Sequence, residues 1–152
     1  NWAIPLSKQF SEKVRFFMVD PKVIDEWIKK ANEDYEFAVS VIEESSFYAQ
    51  ICFHFHQAAE KYLKSYIIAY DLEFKKIHDL SMLLKLCLTK KPTLKILMDD
   101  CKFLNRFYID TRYPVHWPSN YTKEEALKAK SAAEYIRSTI KSAIKSFFPS
   151  LP

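Results

Sequence analysis

The chain has 152 residues, 49% of them hydrophobic, and it contains no glycine. This composition excludes a disordered chain and argues against a many-stranded sheet, because tight hairpins need glycine. The net charge of +4 is only mildly basic and does not by itself indicate nucleic-acid binding. No apolar run is long enough to span a membrane and no signal-peptide pattern opens the chain, so we expect a cytoplasmic protein.

The cysteines are widely spaced and lie in apolar helical patterns: Cys52, Cys87 and Cys101. No pair or His/Cys cluster has the spacing of metal ligands. We interpret them as small buried hydrophobic residues in a reducing compartment, and we expect neither a metal nor a cofactor.

Residues 1–19 are predicted to be an N-terminal extension or a short helix, and residues 20–150 a helical bundle domain. The first clear helix signal is Asp20-Pro21, an N-cap residue followed by proline in the first turn. Apolar residues then recur in steps of three and four from Ile24 to Ile42, which places them on one helix face.

The second predicted helix begins after Ser46, interpreted as its N-cap, and runs to about Tyr70. It is apolar around much of its girth, which is typical of a central helix. A short third helix follows His78-Asp79, and we expect Asp79 to cap it.

The fourth predicted helix spans residues 93–112, and the fifth spans 122–148 after a capping box at Thr122 and Glu125. The fifth has the most regular period in the chain, and small residues in its first half would let the fourth helix approach closely. Those residues are Ala126, Ala129 and Ala133. The pattern predicts an all-α fold, an up-and-down antiparallel bundle of four to five helices.

Three segments, in this order, resemble the HEPN family (higher eukaryotes and prokaryotes nucleotide-binding). They are YAQICFHFHQAAEKYLK at 48–64, His78-Asp79-Leu80 followed by Leu83-Leu84, and YIDTRYP at 108–114 followed by Tyr121-Thr122. The resemblance covers about residues 20–148. It implies a helical bundle, commonly a homodimer, that often acts beside a small nucleotidyltransferase in a toxin–antitoxin pair.

Some proteins of the HEPN family are metal-independent ribonucleases with an Arg, four to six residues, then a His. Here Arg112 and His116 have three residues between them, and Tyr113 replaces the polar residue that usually follows the Arg. We therefore expect a non-catalytic nucleotide- or RNA-binding module. The alternatives are a ribonuclease that uses Arg112 and His116, or a pure protein-interaction module.

The resemblance, together with residue chemistry, predicts one groove for a phosphate-bearing ligand. Its predicted residues are Gln57, Lys61, His78, Arg112 and Tyr113. The guanidinium fork of Arg112 matches phosphate oxygens, and a tyrosine ring can stack on a base. Structural roles compete with these: Arg112 can satisfy helix-end carbonyls, and Gln57 and Lys61 can simply lie on a solvated face.

Other polar residues are given structural interpretations. Glu60 and Lys64 are expected to form an i,i+4 pair on a solvated face. His54 and His56 are expected to be packed and hydrogen-bonded rather than catalytic. A mostly basic stripe on the last helix is expected to be solvated: Lys130, Glu134, Arg137, Lys141 and Lys145.

Overall fold

The computed structural model describes residues 19–108 and 120–145, and within these ranges it contains helices and no strand. The elements are α1 (Pro21–Val41), α2 (Tyr48–Ala69), α3 (Leu80–Leu88), a 3-10 helix (Pro92–Leu97), α4 (Met98–Asn105) and α5 (Lys123–Lys145). The predicted all-α bundle is confirmed. The extension or short helix predicted before α1 falls almost wholly outside the described residues, which begin at residue 19.

Helix α2 is the centre of the molecule and packs against α1, α3, α4 and α5. Sixteen of its 22 residues are buried, because apolar side chains project from most of its circumference. The predicted central position of this helix is confirmed.

The first two helices form an antiparallel hairpin. Tyr35 of α1 meets Phe55 of α2 edge to face, and Tyr62, one to two turns further along α2, donates a hydrogen bond to Asn32. Residue numbers therefore decrease along α1 in the direction in which they increase along α2. The two helices are antiparallel, as expected for helices joined by a short connection.

Helix α5 lies beside α2 and runs in the same direction. Arg137 Nε donates to the hydroxyl of Tyr62 at 3.2 Å, and further along both helices Tyr70 donates to the carbonyl of Ala143 at 3.3 Å. The alanines Ala126, Ala129 and Ala133 are fully buried, as predicted. Helix α5 packs on both α2 and α4, and more extensively on α2. Close approach of the fourth helix through these alanines stays a prediction.

Between α2 and α3 the chain runs back along α2 without regular structure. The ring centroid of Phe74 lies 5.6 Å from Lys64 Nζ. His78 then forms a hydrogen bond with Glu60, which lies one turn before Lys64 on α2. This return places the start of α3 beside the middle of α2, where the candidate site lies.

The C-terminus of α2 ends in a Schellman motif. Leu72 N donates to the carbonyl of Ile67 at 2.9 Å, and Asp71 N donates to that of Ile68 at 3.1 Å. The motif needs a left-handed residue, and Asp71 supplies it with φ 52°, the only positive φ in the described part of the chain.

Of the four predicted N-terminal caps, those of α1 and α5 are confirmed here and that of α3 is described with the candidate site. The Asp20 carboxylate accepts from Lys22 N at 2.9 Å, and Thr122 Oγ1 accepts from Glu125 N at 3.1 Å. The Ser46 prediction is wrong: Phe47 occupies the N-cap of α2 and makes no side-chain cap hydrogen bond.

The fourth helix differs from the single helix predicted over 93–112. Its first part is the 3-10 helix, and α4 ends at Asn105. The end of α4 coincides with a contact to another helix. The side chain of Asn105 accepts a hydrogen bond at 2.8 Å from Leu80 N, the first backbone amide of α3.

Candidate functional site

The start of α3 is held by two side chains, Asp79 and Asn105. Asp79 Oδ1 accepts from Ser81 N at 2.9 Å and from Met82 N at 3.2 Å, which confirms it as the N-cap. Asn105 Nδ2 donates to the same oxygen at 3.0 Å. The two polar side chains are therefore fixed in orientation at the junction of α3 and α4.

His78, immediately before this cap, is tied to a buried carboxylate on α2. Its Nδ1 lies 2.8 Å from Glu60 Oε1, and Lys64 Nζ lies 3.1 Å from Glu60 Oε2. A carboxylate only accepts hydrogen bonds, so Nδ1 carries a proton, and in the neutral form of the ring the lone pair is then on Nε2. The His78 side chain is 49% exposed, so Nε2 is available at the surface.

The Glu60–Lys64 pair is present, but the expectation that it lies on a solvated face is wrong. Both side chains are only 7% exposed. The returning segment between α2 and α3 covers them, with Phe74 over Lys64 and His78 over Glu60. Helical spacing predicts the pair, but only the tertiary fold buries it.

His56 lies beneath this cluster and is fully buried. Its Nε2 donates to the carbonyl of His78 at 3.1 Å, because a carbonyl can only accept. Its Nδ1 is the one buried side-chain nitrogen or oxygen in the described part of the chain without a hydrogen-bond partner. Burial lowers the pKa of His56 to about 4, so the ring is neutral at pH 7.

Tyr108 completes the cluster. Its ring stacks on His78 with centroids 4.9 Å apart and planes inclined by 15°, and it lies 5.5 Å from the ring of His56. A mainly apolar depression of about 430 Å³ opens beside the stacked pair. It is lined by Ile77, His78, Asp79, Met82, Asn105 and Tyr108.

Lys61 lies in a different environment, against α1. It forms an ion pair with Asp34, whose other carboxylate oxygen is 3.1 Å from His54 Nδ1. Burial raises the pKa of Asp34, but the hydrogen bonds from His54 and Lys61 outweigh burial and leave the pKa below its ordinary value. The expectation that His54 and His56 are packed and hydrogen-bonded is confirmed.

The structure does not bring all the predicted ligand residues together. Lys61 lines a separate depression of about 290 Å³ with Glu26, Trp27 and Lys30, whereas His78 lines the one at α3. Gln57 is half-buried on α2, one turn before Lys61. Arg112, Tyr113 and His116 lie outside the described residues.

Comparison with known proteins identifies the family. The family model described as the HEPN domain matches residues 24–143. The chain belongs to the HEPN domain family. Among curated proteins, none matches the sequence.

Two solved structures resemble this HEPN protein. The crystal structure of ST0689, an archaeal HEPN homologue, has a TM-score of 0.64 and 29% identity, covering 80% of this chain and 98% of that chain. The crystal structure of TT1696 from Thermus thermophilus has a TM-score of 0.64 and 27% identity, covering 78% and 96% of the two chains.

The segments that resemble the HEPN family meet at the α3 depression. The first segment is α2, which supplies His56 and Glu60, and the second begins with His78 and Asp79. The third begins with Tyr108, which stacks on His78. Segments distant in the sequence therefore share one surface.

Sequence reasoning missed three residues of this HEPN site. Helical spacing places Glu60 on a solvated face, and no sequence pattern assigns Tyr108 or Asn105 to the predicted groove. The available signal is weak: Asn105 lies inside the predicted fourth helix, where asparagine is unfavourable because its side chain competes for backbone hydrogen bonds.

The remaining polar predictions have mixed outcomes. Arg137 is not solvated, since it donates to Tyr62 and its guanidinium lies 5.1 Å from the ring of Tyr35.

The cysteines are buried and unpaired, and burial raises the pKa of Cys52 and of Cys87 to about 12. Within residues 19–108 and 120–145, no group of three or more His, Cys, Asp or Glu side chains is placed to hold a metal ion. No helix in these ranges combines the length and hydrophobicity needed to cross a membrane.

Proposed function

We propose that this HEPN protein is a non-catalytic nucleotide- or RNA-binding module. We further propose that it acts as a homodimer with a nucleotidyltransferase partner, in a toxin–antitoxin-like pair, as the family resemblance implies. The observation that carries the binding proposal is the depression at α3, with its stacked His78–Tyr108 wall and its fixed polar edge.

The depression has the properties of a site for a nucleobase. Its volume of about 430 Å³ falls in the range of about 300–1,000 Å³ typical of small-molecule sites. The faces of His78 and Tyr108, with the apolar side chains of Ile77 and Met82, offer stacking and contact area. Asp79 Oδ1 already accepts three hydrogen bonds, and no described residue donates to Oδ2, which can accept from the amino group of a base.

We assign the phosphate to Arg112, supported by Tyr113. Arg112 follows Tyr108 by four residues, a length of chain that spans at most about 14 Å. Its planar fork can donate two parallel hydrogen bonds to phosphate oxygens. Gln57 and Lys61 then serve a second part of a longer RNA, because Lys61 lines its own depression next to Trp27.

A titration with a mononucleotide and a short RNA tests this assignment. Arg112→Ala should weaken binding of both by about tenfold or more, since a charge-assisted hydrogen bond is worth about 1.5–3 kcal/mol. Tyr108→Leu should also weaken both, because base stacking contributes about 1–3 kcal/mol. Lys61→Ala should weaken only the RNA.

Phe37→Leu is the matched control for Tyr108→Leu, because Phe37 is a half-exposed aromatic residue on α1, away from the depression. Binding that survives Arg112→Ala and Tyr108→Leu unchanged, or no binding by wild type, would refute the proposed site.

One observation favours ribonuclease activity as the second candidate. The buried Glu60 holds His78 with a lone pair on the exposed Nε2, an arrangement suited to accepting a proton from a ribose 2′-hydroxyl. In this alternative, His78 is the general base and Arg112 stabilises charge on the phosphate. RNA cleavage by wild type that is lost in His78→Gln would establish it, and loss in His116→Ala alone would assign the base to His116.

A further inference from the structure

The outward face of α5 carries one continuous row of exposed side chains. They follow each other in steps of three and four: Glu124, Leu127, Ser131, Tyr135, Ser138, Ser142 and Lys145. The five inner residues are uncharged, and Leu127 and Tyr135 are 41% and 44% exposed. Residues with this spacing lie on one face of a helix, as residues at a helix–helix interface do. Here that face is the side of α5 opposite the core.

Two of the three serines of this row, Ser131 and Ser138, use their hydroxyl protons within the helix. Ser131 Oγ donates to the carbonyl of Leu127 at 3.3 Å, and Ser138 Oγ donates to that of Tyr135 at 3.2 Å. The small size of serine would let a second helix approach closely.

The two ends of the row carry opposite charges. Glu124 lies in the first turn of α5 and Lys145 in the last. Neither forms an ion pair with any residue in the described ranges. An antiparallel copy of α5 would place each Glu124 against the partner's Lys145, and would also oppose the two helix dipoles.

A groove beside the row fits the same arrangement. It has a volume of about 400 Å³ and lies between the 3-10 helix and α5, with Thr93, Ile96, Ser138 and Ser142 among its walls. A twofold axis between positions 134 and 135 places Leu127 opposite Ser142 of the second copy. Leu127 of each copy then enters the groove of the other, where Ile96 is 55% exposed.

We infer that this face is the interface with a second copy of the chain, with the two α5 helices antiparallel about that axis. The inference rests on the proposed homodimer and assigns its surface. It does not depend on the nucleotide site, which lies at the start of α3 on other residues.

Light scattering over a concentration series tests the surface. Wild type should have twice the 18.0 kDa protomer mass. Leu127→Lys should raise the dimer dissociation constant by at least about tenfold, because the apolar contact of Leu127 with the partner's groove is lost twice, once in each copy. Val23→Lys is the control, since Val23 is similarly exposed but lies on α1.

Charge exchange and cross-linking test the register. Glu124→Lys should weaken the dimer, and adding Lys145→Glu should restore it. A mixture of Ser131→Cys and Ser138→Cys proteins should form an intermolecular disulfide, whereas each protein alone should not, because like positions are about 10 Å apart along the axis. The native cysteines are buried and do not compete.

The outcomes separate the two proposals. A monomeric wild type refutes both the homodimer and this interface. A dimer that Leu127→Lys leaves intact, or that shows no disulfide in the mixture, refutes this surface alone. Nucleotide affinity that is unchanged in Leu127→Lys shows that the binding site is intact whichever result is obtained.

Discussion

One carboxylate oxygen of Asp79 accepts three hydrogen bonds at the start of α3, two from backbone amides and one from Asn105 of α4. By contrast, Asp20 caps α1 with one hydrogen bond, and no residue of another helix within 19–108 and 120–145 bonds to it. The same residue type therefore has a local role at α1 and both a local and a tertiary role at α3.

Asp79→Ala should therefore destabilise the fold more than Asp20→Ala. A lost cap costs about 1 kcal/mol, and the lost Asn105 contact adds about 0.5–1.5 kcal/mol. We expect about 2 kcal/mol for Asp79→Ala and about 1 kcal/mol for Asp20→Ala, measured by urea denaturation. Equal losses would mean that the Asn105 contact adds nothing.

His56 should make the fold sensitive to mild acid. Its pKa is lowered by burial to about 4, whereas the unfolded chain has an ordinary histidine pKa of about 6.5. Between these values only the unfolded chain takes up the proton, so stability is complete above pH 6.5 and falls as the pH falls toward 4. The loss is on the order of 3 kcal/mol.

His56→Gln tests this, because glutamine can still donate to the carbonyl of His78 but does not titrate in this range. The free energy of unfolding, followed from pH 7.5 to pH 4, should fall less steeply in the variant than in wild type. Parallel curves would assign the acid sensitivity to other groups.

At the residue scale, the sequence predicts local contacts better than tertiary ones. The Asp79 cap and the Glu60–Lys64 pair follow from spacing along one helix. The contact of Glu60 with His78 depends on the return of the chain along α2, which no short-range pattern encodes. The site was therefore only partly predictable, and Lys61 illustrates the limit because its ion pair is with a residue of α1.

At the scale of elements, capping chemistry and periodicity predict helix starts well where a side chain binds the backbone. The starts of α1, α3 and α5 are of this kind. Helix α2 starts without a side-chain cap, and α4 ends where Asn105 binds α3, so local signals misplace both boundaries. Packing decides these ends, and packing cannot be read from one segment.

The seam along the buried face of α5 should tolerate little added volume. Ala129 of α5 is fully buried. Ala129→Leu should cost about 1–3 kcal/mol because the added carbon atoms force neighbouring side chains or the backbone to move. Lys128→Leu, at the adjacent exposed position, should change the thermal midpoint much less, and a similar shift for both would show that the seam is not tightly packed.

At the scale of the whole molecule, composition and periodicity are enough to predict the fold class. Four helices with apolar stripes and a fifth that is apolar around much of its girth have few ways to pack, and α2 occupies the centre in the structure as its pattern indicates. The directions of the helices are harder to predict. The parallel course of α2 and α5 depends on the irregular return between α2 and α3.

The left-handed Asp71 gives a way to measure what a backbone without glycine does to folding. Asp71→Gly and Asp71→Ala both remove the side-chain contacts of Asp71, so their difference isolates the backbone. Glycine relieves a left-handed cost of about 1–2 kcal/mol in the folded state, but it frees the unfolded chain by about 0.4–1 kcal/mol. We expect the glycine variant to be more stable than the alanine variant by about 1 kcal/mol in urea titrations, and an advantage for alanine would show that Asp71 is unstrained. At the other positions that the structure describes, φ is not positive and only the effect on the unfolded chain operates. Because the sequence has no glycine, its denatured ensemble is narrower than that of a glycine-containing chain of the same length.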